Sequence, residues 1–367
     1  MTITRVEIFK LSIPLKAPVT IAIGTIEESR NIVVKIHTED GIYGIGEGSP
    51  FWMIVGETQE TCFAAAQDFA RLLIGRNALD IEGCLAALDR YLTRNYTCKS
   101  AFDMALYDLA AKQARMPLYQ YLGGEKRSIT TDETIYIGTP EAMAADAVQI
   151  KARGSEAIKV KLGTNAPDDI RRVKAIREAI GAELPIRVDA NQGWDYVSAV
   201  KVLKAVADLN VEYCEQPVKH WNYEDMARVR HNSPVPICAD ESLFTHTDAF
   251  RLAQMGAVDY FNIKLSKSGG INNALKINAI AEAAGISCMI GCMSESRLAI
   301  TANAHLASAR TNIRFYDLDS AFEHAVDPVL GGAQYHNHYR LELPESPGHG
   351  ADLDDKYLSR MERVEIK

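Results

Sequence analysis

No run of about 18 consecutive apolar residues occurs in this chain, so nothing in it reads as a membrane-spanning helix. Its first residues, MTITRVEIFKLSIPL, lack the basic start, apolar stretch and small-residue cleavage site of a signal peptide. Positive charge is not in excess: 40 Lys and Arg stand against 48 Asp and Glu, a net charge of -8, which argues against nucleic acid as a partner. The seven cysteines are odd in number and follow no disulfide-framework spacing. Cys214, Cys238 and Cys288 lie inside apolar runs, where buried reduced thiols belong, and the cytoplasm is the expected compartment. Low-complexity tracts are absent. So is a glycine-rich phosphate loop, since Gly41, Gly44 and Gly46 sit in a hairpin context rather than between a first strand and its helix.

What is present is a chain of 367 residues, 47% hydrophobic, enough for two domains or one large barrel with additions. Residues 1–125 open with β-rich sequence at Arg5–Ile13 and Asn31–His37, and Asp40-Gly41 predicts a two-residue hairpin turn before Ile42–Glu47. Helical patterns follow at Glu57–Ile74, Asp80–Leu92 and Lys99–Arg115, the last with Ala101, Ala105, Leu106 and Leu109 on one face. This predicts a small α+β domain. Residues 126–329 are rhythmic. Eight β-branched segments recur, at Thr134–Ile137, Ala157–Leu162, Ile186–Ala190, Val211–Gln216, Ile237–Glu241, Phe261–Leu265, Ser287–Gly291 and Ile313–Leu318, with helical sequence between them. That alternation predicts parallel βαβ units and a (β/α)8-type barrel, with an open doubly wound sheet as the alternative. Residues 330–367, rich in Gly and Pro and ending in a short β-like segment, are expected to return to the first domain.

Charge falls at one end of the predicted strands. The second carries Lys159 and Lys161, the third ends in Asp189, the fourth in Glu215, the fifth in Asp240 and Glu241, the sixth in Lys264, and the eighth in Asp317 and Asp319. Singly, each is an ordinary turn former, helix cap or strand-end residue. Together they place one charged group per strand at the rim where barrel enzymes gather their catalytic residues. Lys159 and Lys161 are two apart and point to one side, which leaves Val160 to face the helices. Three carboxylates from adjacent strands, Asp189, Glu215 and Asp240, repel one another and are expected to raise one another's pKa; a hard divalent cation resolves the conflict. An all-oxygen set without His indicates Mg²⁺ or Mn²⁺, one per chain, rather than Zn²⁺. Lys161 and Lys264, on the second and sixth strands of an eight-strand ring, stand on opposite sides of that cation. A carboxylate substrate between them can lose its α-proton to one lysine as a metal-stabilised enediolate and regain it from the other on the opposite face, inverting the centre.

At these positions the chain resembles the enolase superfamily, in its muconate-lactonising and mandelate-racemase-like branch. The motifs KVK, DANQGW, EQP, ADES, NIKLSKSGG and IGCMSES carry the resemblance over essentially the whole length. It implies an α+β capping domain (1–125, completed by 330–367) over a modified (β/α)8 barrel (126–329). It also implies Asp189, Glu215 and Asp240 as metal ligands, Lys161 and Lys264 as the acid/base pair, and Lys159 as a holder of the substrate carboxylate. Members that use a His base near the seventh strand differ, since Ile290–Arg297 contains no His. The Asp317-Leu318-Asp319 sequence is similar to the motif by which dipeptide epimerases bind the substrate's α-ammonium group. The implied activity is epimerisation of a dipeptide, a small molecule, by a homo-oligomeric enzyme; o-succinylbenzoate synthesis, N-acylamino acid racemisation and muconate cycloisomerisation are the alternatives on the same site. Substrate contacts are expected from the Ala17–Arg30 and Ser49–Glu57 loops, at Gly24 and Ile54, and from Tyr136. Ala-Glu epimerases of the family are expected to carry an Arg near Gly24 and a small hydroxyl residue at Tyr136, so both positions count against an Ala-Glu substrate.

Overall fold

The computed structural model describes all 367 residues. Strands β1 (Ile3–Ile21), β2 (Gly24–Thr38) and β3 (Tyr43–Gly48) form an antiparallel sheet. Helices α1 (Gln59–Leu73), α2 (Ile81–Tyr91) and α3 (Tyr96–Gln113) follow. The connection from β2 to β3 is a four-residue turn, because Thr38 bonds to Ile42 and the ladder resumes only at His37–Tyr43; the predicted two-residue turn is thus too short, although Gly41 does take the positive φ (77°) that the bend requires. The predicted Ala17–Arg30 loop is not a loop. It is the tip of the β1–β2 hairpin, paired as Val19–Ile26 and Ile21–Gly24, and its Val, Thr and Ile residues suit the pleated ladder.

Helix α3 departs from the one-faced pattern, with every residue from Thr97 to Ala111 buried. It is the central rod between sheet and barrel, so it has no solvent face to mark with polar residues. It starts at Tyr96, three residues before the predicted Lys99, after Asn95 in a left-handed conformation, and Glu57 accepts from the orphan N–H groups of Thr97 (3.0 Å) and Cys98 (3.1 Å). The glycines of β3 are explained here. A Cβ on Gly44 or Gly46 would stand 2.0 or 2.1 Å from the carbonyls of Ala105 and Ala101, so the strand needs glycine to lie against the helix.

The eight barrel strands are β4 (Glu133–Ile135), β5 (Ile158–Lys161), β6 (Ile186–Asp189), β7 (Val211–Glu215), β8 (Ile237–Ala239), β9 (Tyr260–Ile263), β10 (Ser287–Ile290) and β11 (Ile313–Tyr316), within one or two residues of expectation at most ends. They pair in parallel and in chain order, and one main-chain bond, Asp132 N–H to Tyr316 O at 3.2 Å, links the two edge strands. Seven of the strands are followed by a helix. After β11 there is only a 3₁₀ turn, Ser320–Glu323, before short strands lead back to β12 (Arg363–Ile366), which pairs with β1 through Val6–Ile366 and Ile8–Val364. This is an α/β fold, a parallel eight-stranded sheet curled into a modified barrel with an antiparallel cap that the C-terminal strand completes. The barrel floor is closed by Tyr213, Tyr260 and Phe315 in edge-to-face contact, with the Arg187 guanidinium 5.3 Å from the Phe315 ring and paired to Asp132 at 2.9 Å.

Two buried carboxylates of the cap tie it to the barrel. Glu47 on β3 accepts from Ser296 N–H (2.8 Å) and Oγ–H (2.7 Å) and from Ala299 N–H (3.1 Å), at the start of helix Arg297–Ala309. Asp103 on α3 accepts from Ile271 and Asn272 N–H at the start of helix Ile271–Ala284, and burial pushes its carboxyl up to about 7. Both satisfy helix donors that would otherwise be orphaned. No helix is long and apolar enough to cross a membrane, and all seven cysteines are free and buried.

Candidate active site

The charged strand-end residues converge under the β1–β2 hairpin tip. Lys159 and Lys161, on alternate positions of β5, both lie inside the barrel, and Val160 is buried on the outer side. Lys161 Nζ donates to Asp189 Oδ2 at 2.7 Å. Lys264, the residue after β9, donates to Asp240 Oδ2 at 2.7 Å, from a strand four places away from β5 in the sheet. Asp189, Glu215 and Asp240 end or follow β6, β7 and β8. Each is fully buried, and each offers an oxygen within 4.8 Å of the other two.

The charge balance differs from the expectation of three mutually raised carboxylates. Glu215 alone is pushed up, to about 7, by burial and by Asp189. Burial would also raise Asp189 and Asp240, but the ammonium groups of Lys161 and Lys159 beside the first, and of Lys264 and Lys267 beside the second, outweigh it and hold both below the ordinary range. Lys264 is held above its usual value: Asp240 and Glu215 overcome the desolvation that would lower it. Lys159 meets Asp317 at 2.6 Å and Glu215 at 2.8 Å and is held well above its usual value in the same way. Lys267, which sequence reasoning did not single out, donates to Asp240 Oδ1 at 2.6 Å. Its only signal was a second lysine in the NIKLSKSGG segment, three residues after Lys264. Asn262 and Asn191 were also missed. The first donates to Glu215 Oε1 at 2.5 Å, the second to Glu241 Oε1 at 3.1 Å.

This donor set fits a hard divalent cation. It is all oxygen, buried, drawn from three adjacent strands, and Glu215 Oε2 accepts no well-formed hydrogen bond, meeting only the Lys159 ammonium.

A cavity opens above these groups, with room of about 60 Å³ for the centre of a water-sized sphere. Lys161 and Lys264 line it together, as do Asp317 and Asp319 from the end of β11. Asp319 Oδ2 accepts from Thr134 N–H at 2.8 Å and does not cap the following turn with its side chain. Thr134 and Tyr136 both face the cavity, so β4 itself supplies a small hydroxyl residue and Tyr136 lies just past its end. Ile54 lines the cavity. Gly24 does not: it sits at the hairpin tip, where an added Cβ would meet Met53 Sδ at 2.1 Å, and the hairpin presents Val19, Ile21 and Ile26 instead. Strand alternation puts those three on the inner face and leaves Gly24 at the bend.

The sequence matches two known families. Residues 3–123 match the mandelate racemase/muconate lactonizing enzyme N-terminal domain, and residues 142–357 match the enolase C-terminal domain-like family. The chain is 44% identical to the D-Ala-D/L-Ala epimerase of Cytophaga hutchinsonii, covering 99% of both chains. It is also 44% identical to the hydrophobic dipeptide epimerase of Enterococcus faecalis, over 95% of this chain and 99% of that one. The crystal structure of the dipeptide epimerase from Cytophaga hutchinsonii, complexed with Mg and D-Ala-L-Val, superposes with a TM-score of 0.99 at 44% identity, covering 100% of each chain.

Proposed function

The chain belongs to the mandelate racemase/muconate lactonizing enzyme family of the enolase superfamily, and on that footing we propose that it is a divalent-metal-dependent dipeptide epimerase. The observation that carries the reading is the pair Lys161 and Lys264, two buried amines from strands four places apart that line one cavity beside a carboxylate triad. The relatives from Cytophaga hutchinsonii and Enterococcus faecalis are dipeptide epimerases whose crystal structures hold Mg and a dipeptide.

In this reading Asp189, Glu215 and Asp240 hold Mg²⁺, with Mn²⁺ as a chemical alternative. When bound, the cation supplies counter-charge to these carboxylates and to the substrate carboxylate as its α-proton leaves. Lys161 and Lys264 move the proton. The neutral amine of one takes it from the α-carbon, the C–H electron pair passes toward the carboxylate, and the ammonium of the other delivers a proton to the opposite face. The centre inverts and the two lysines exchange protonation states. Lys159, whose ammonium meets Asp317 and Glu215, is assigned to binding the substrate carboxylate, as the family resemblance implies. Asp317 and Asp319 receive the substrate's α-ammonium group. A ligand lacking that cation would leave Asp319, lifted well above its ordinary value by burial and by Asp317, without a positive partner. This favours free dipeptides over N-acylated amino acids.

The test is incubation with dipeptides and Mg²⁺ in D₂O, read by mass spectrometry and chiral chromatography. One deuterium should enter at the α-carbon of the C-terminal residue, with inversion. No exchange into any dipeptide, with either metal, would refute the assignment.

A further inference from the structure

Resting on the epimerase reading, we propose that the cavity selects dipeptides with short aliphatic side chains over those carrying a C-terminal Glu or Asp. Three features of the lining argue for it.

The first is the absence of a free cation. The only basic residues lining the cavity are Lys161 and Lys264, and both are engaged with Asp189 and Asp240. Two others come from the same hairpin but do not serve. Arg30 is exposed and paired with Glu60 at 2.5 Å, and Lys16 donates to the Phe322 carbonyl at 2.5 Å. A second substrate carboxylate entering this space would meet no counter-charge.

The second is Glu323. It lines the cavity from the turn after β11, is largely screened from solvent, and makes no hydrogen bond or ion pair. Asp317, Asp319 and Glu323 together give one wall three carboxylates. An ammonium is at home there; an acidic side chain would be a fourth like charge in a poorly solvated space.

The third is size. Opposite the acidic wall, Val19, Ile21, Ile26 and Phe51 form a small apolar cluster, and Tyr136 and Ile54 pack against it. The Tyr136 ring closes the space between hairpin and barrel. The whole dipeptide must share this space, and Tyr136, which lines it beside the apolar cluster, leaves a bulky aromatic side chain the least room.

The experiment compares kcat/KM of the Mg²⁺-loaded enzyme, by deuterium exchange, across L-Ala-L-Xaa with Xaa = Ala, Val, Leu, Phe and Glu. Ala-Ala, Ala-Val or Ala-Leu should exceed Ala-Glu by at least 100-fold and Ala-Phe by at least tenfold. Ala-Glu within tenfold of the best aliphatic substrate would overturn the inference while leaving the epimerase reading intact. Exchange into none of them would overturn both. Two variants test the causes. Ile54→Arg, which adds a cation to the wall, should narrow the preference for Ala-Val over Ala-Glu by at least tenfold, and Tyr136→Ala should do the same for Ala-Val over Ala-Phe. Folded variants with unchanged ratios would remove both residues from the proposed filter.

Discussion

Lys267 Nζ lies 2.6 Å from Oδ1 of Asp240, while Lys264 takes Oδ2 of the same carboxylate. Lys267 is fully buried and donates as well to the carbonyls of Asp240 and Asn262, so it fixes both the side chain and the backbone at the end of β8. Replacing it leaves a buried carboxylate short of a partner. Lys267→Met is expected to lower unfolding stability by about 3–5 kcal/mol in urea titration. If Asp240 is a metal ligand, Mg²⁺ affinity should also weaken by about 10–100-fold in calorimetric titration. Unaltered affinity in the folded variant would deny Lys267 a positioning role.

Removing the metal should stop the reaction reversibly. Dialysis against EDTA is expected to abolish epimerisation, and added Mg²⁺ to restore it. Asp189→Ala should prevent restoration, because two carboxylates offer too few ligands to hold the ion. Activity that survives exhaustive chelation would rule out the triad as a metal centre.

The two lysines should be separately indispensable. Lys161→Ala and Lys264→Ala are each expected to cut epimerisation by at least about 10³-fold, at the upper end of what one positioned acid or base supplies. Equilibrium dialysis of a dipeptide should still detect binding. Full turnover in either variant would take that lysine out of the proton transfer.

Asp319→Asn should separate recognition from chemistry. The change keeps an acceptor for Thr134 N–H but loses the negative charge. Free dipeptides should lose about tenfold or more in kcat/KM relative to N-acetylated ones, since a charge-assisted contact of about 1.5–3 kcal/mol is removed only from the former. Equal losses for both would mean that Asp319 is structural.

Acid stability should depend on His305. Its Nδ1 accepts from Tyr119 N–H at 3.0 Å, so Nε2 carries the proton and donates to His349 O at 3.1 Å. Burial lowers its pKa to about 3. The unfolded chain takes up a proton near pH 6.5 and the folded chain does not, so the stability conferred by the neutral ring is complete above pH 6.5. It is lost as pH falls toward 3, at about 1.4 kcal/mol per unit. Buried carboxylates with raised values, Asp103 and Glu295 among them, act in the opposite sense. The measurement is therefore the difference in urea midpoint between the protein and His305→Gln, which should shrink from pH 7 to pH 4. A pH-independent difference would refute the assignment.

The barrel was legible because its strands are short, β-branched and regularly spaced, and because charge at a strand end has few structural reasons to recur on six strands of eight. Lys267 escaped notice because its burial depends on a one-turn helix, Leu265–Ser268, which a sequence of Ser, Lys and Gly does not announce. The hairpin tip, expected as a loop from the family resemblance, contains Pro14, Pro18 and Gly24, which are unusual within paired strands. In the structure the irregular pairing between Pro14 and Val19 absorbs both prolines, and the ladder then continues to the bend.

Periodicity and residue chemistry are local properties, so the sequence alone determined the alternating β/α architecture and the identity of the acidic and basic residues at its rim. How those charges neutralise one another is a matter of distances across the barrel. Only the tertiary structure decided that Glu215 alone of the triad rises, that Gly24 stands outside the cavity, and that Glu323 stands inside it without a partner. Coulomb energies and burial depend on which chain segments meet, and here residues hundreds of positions apart share one poorly solvated space.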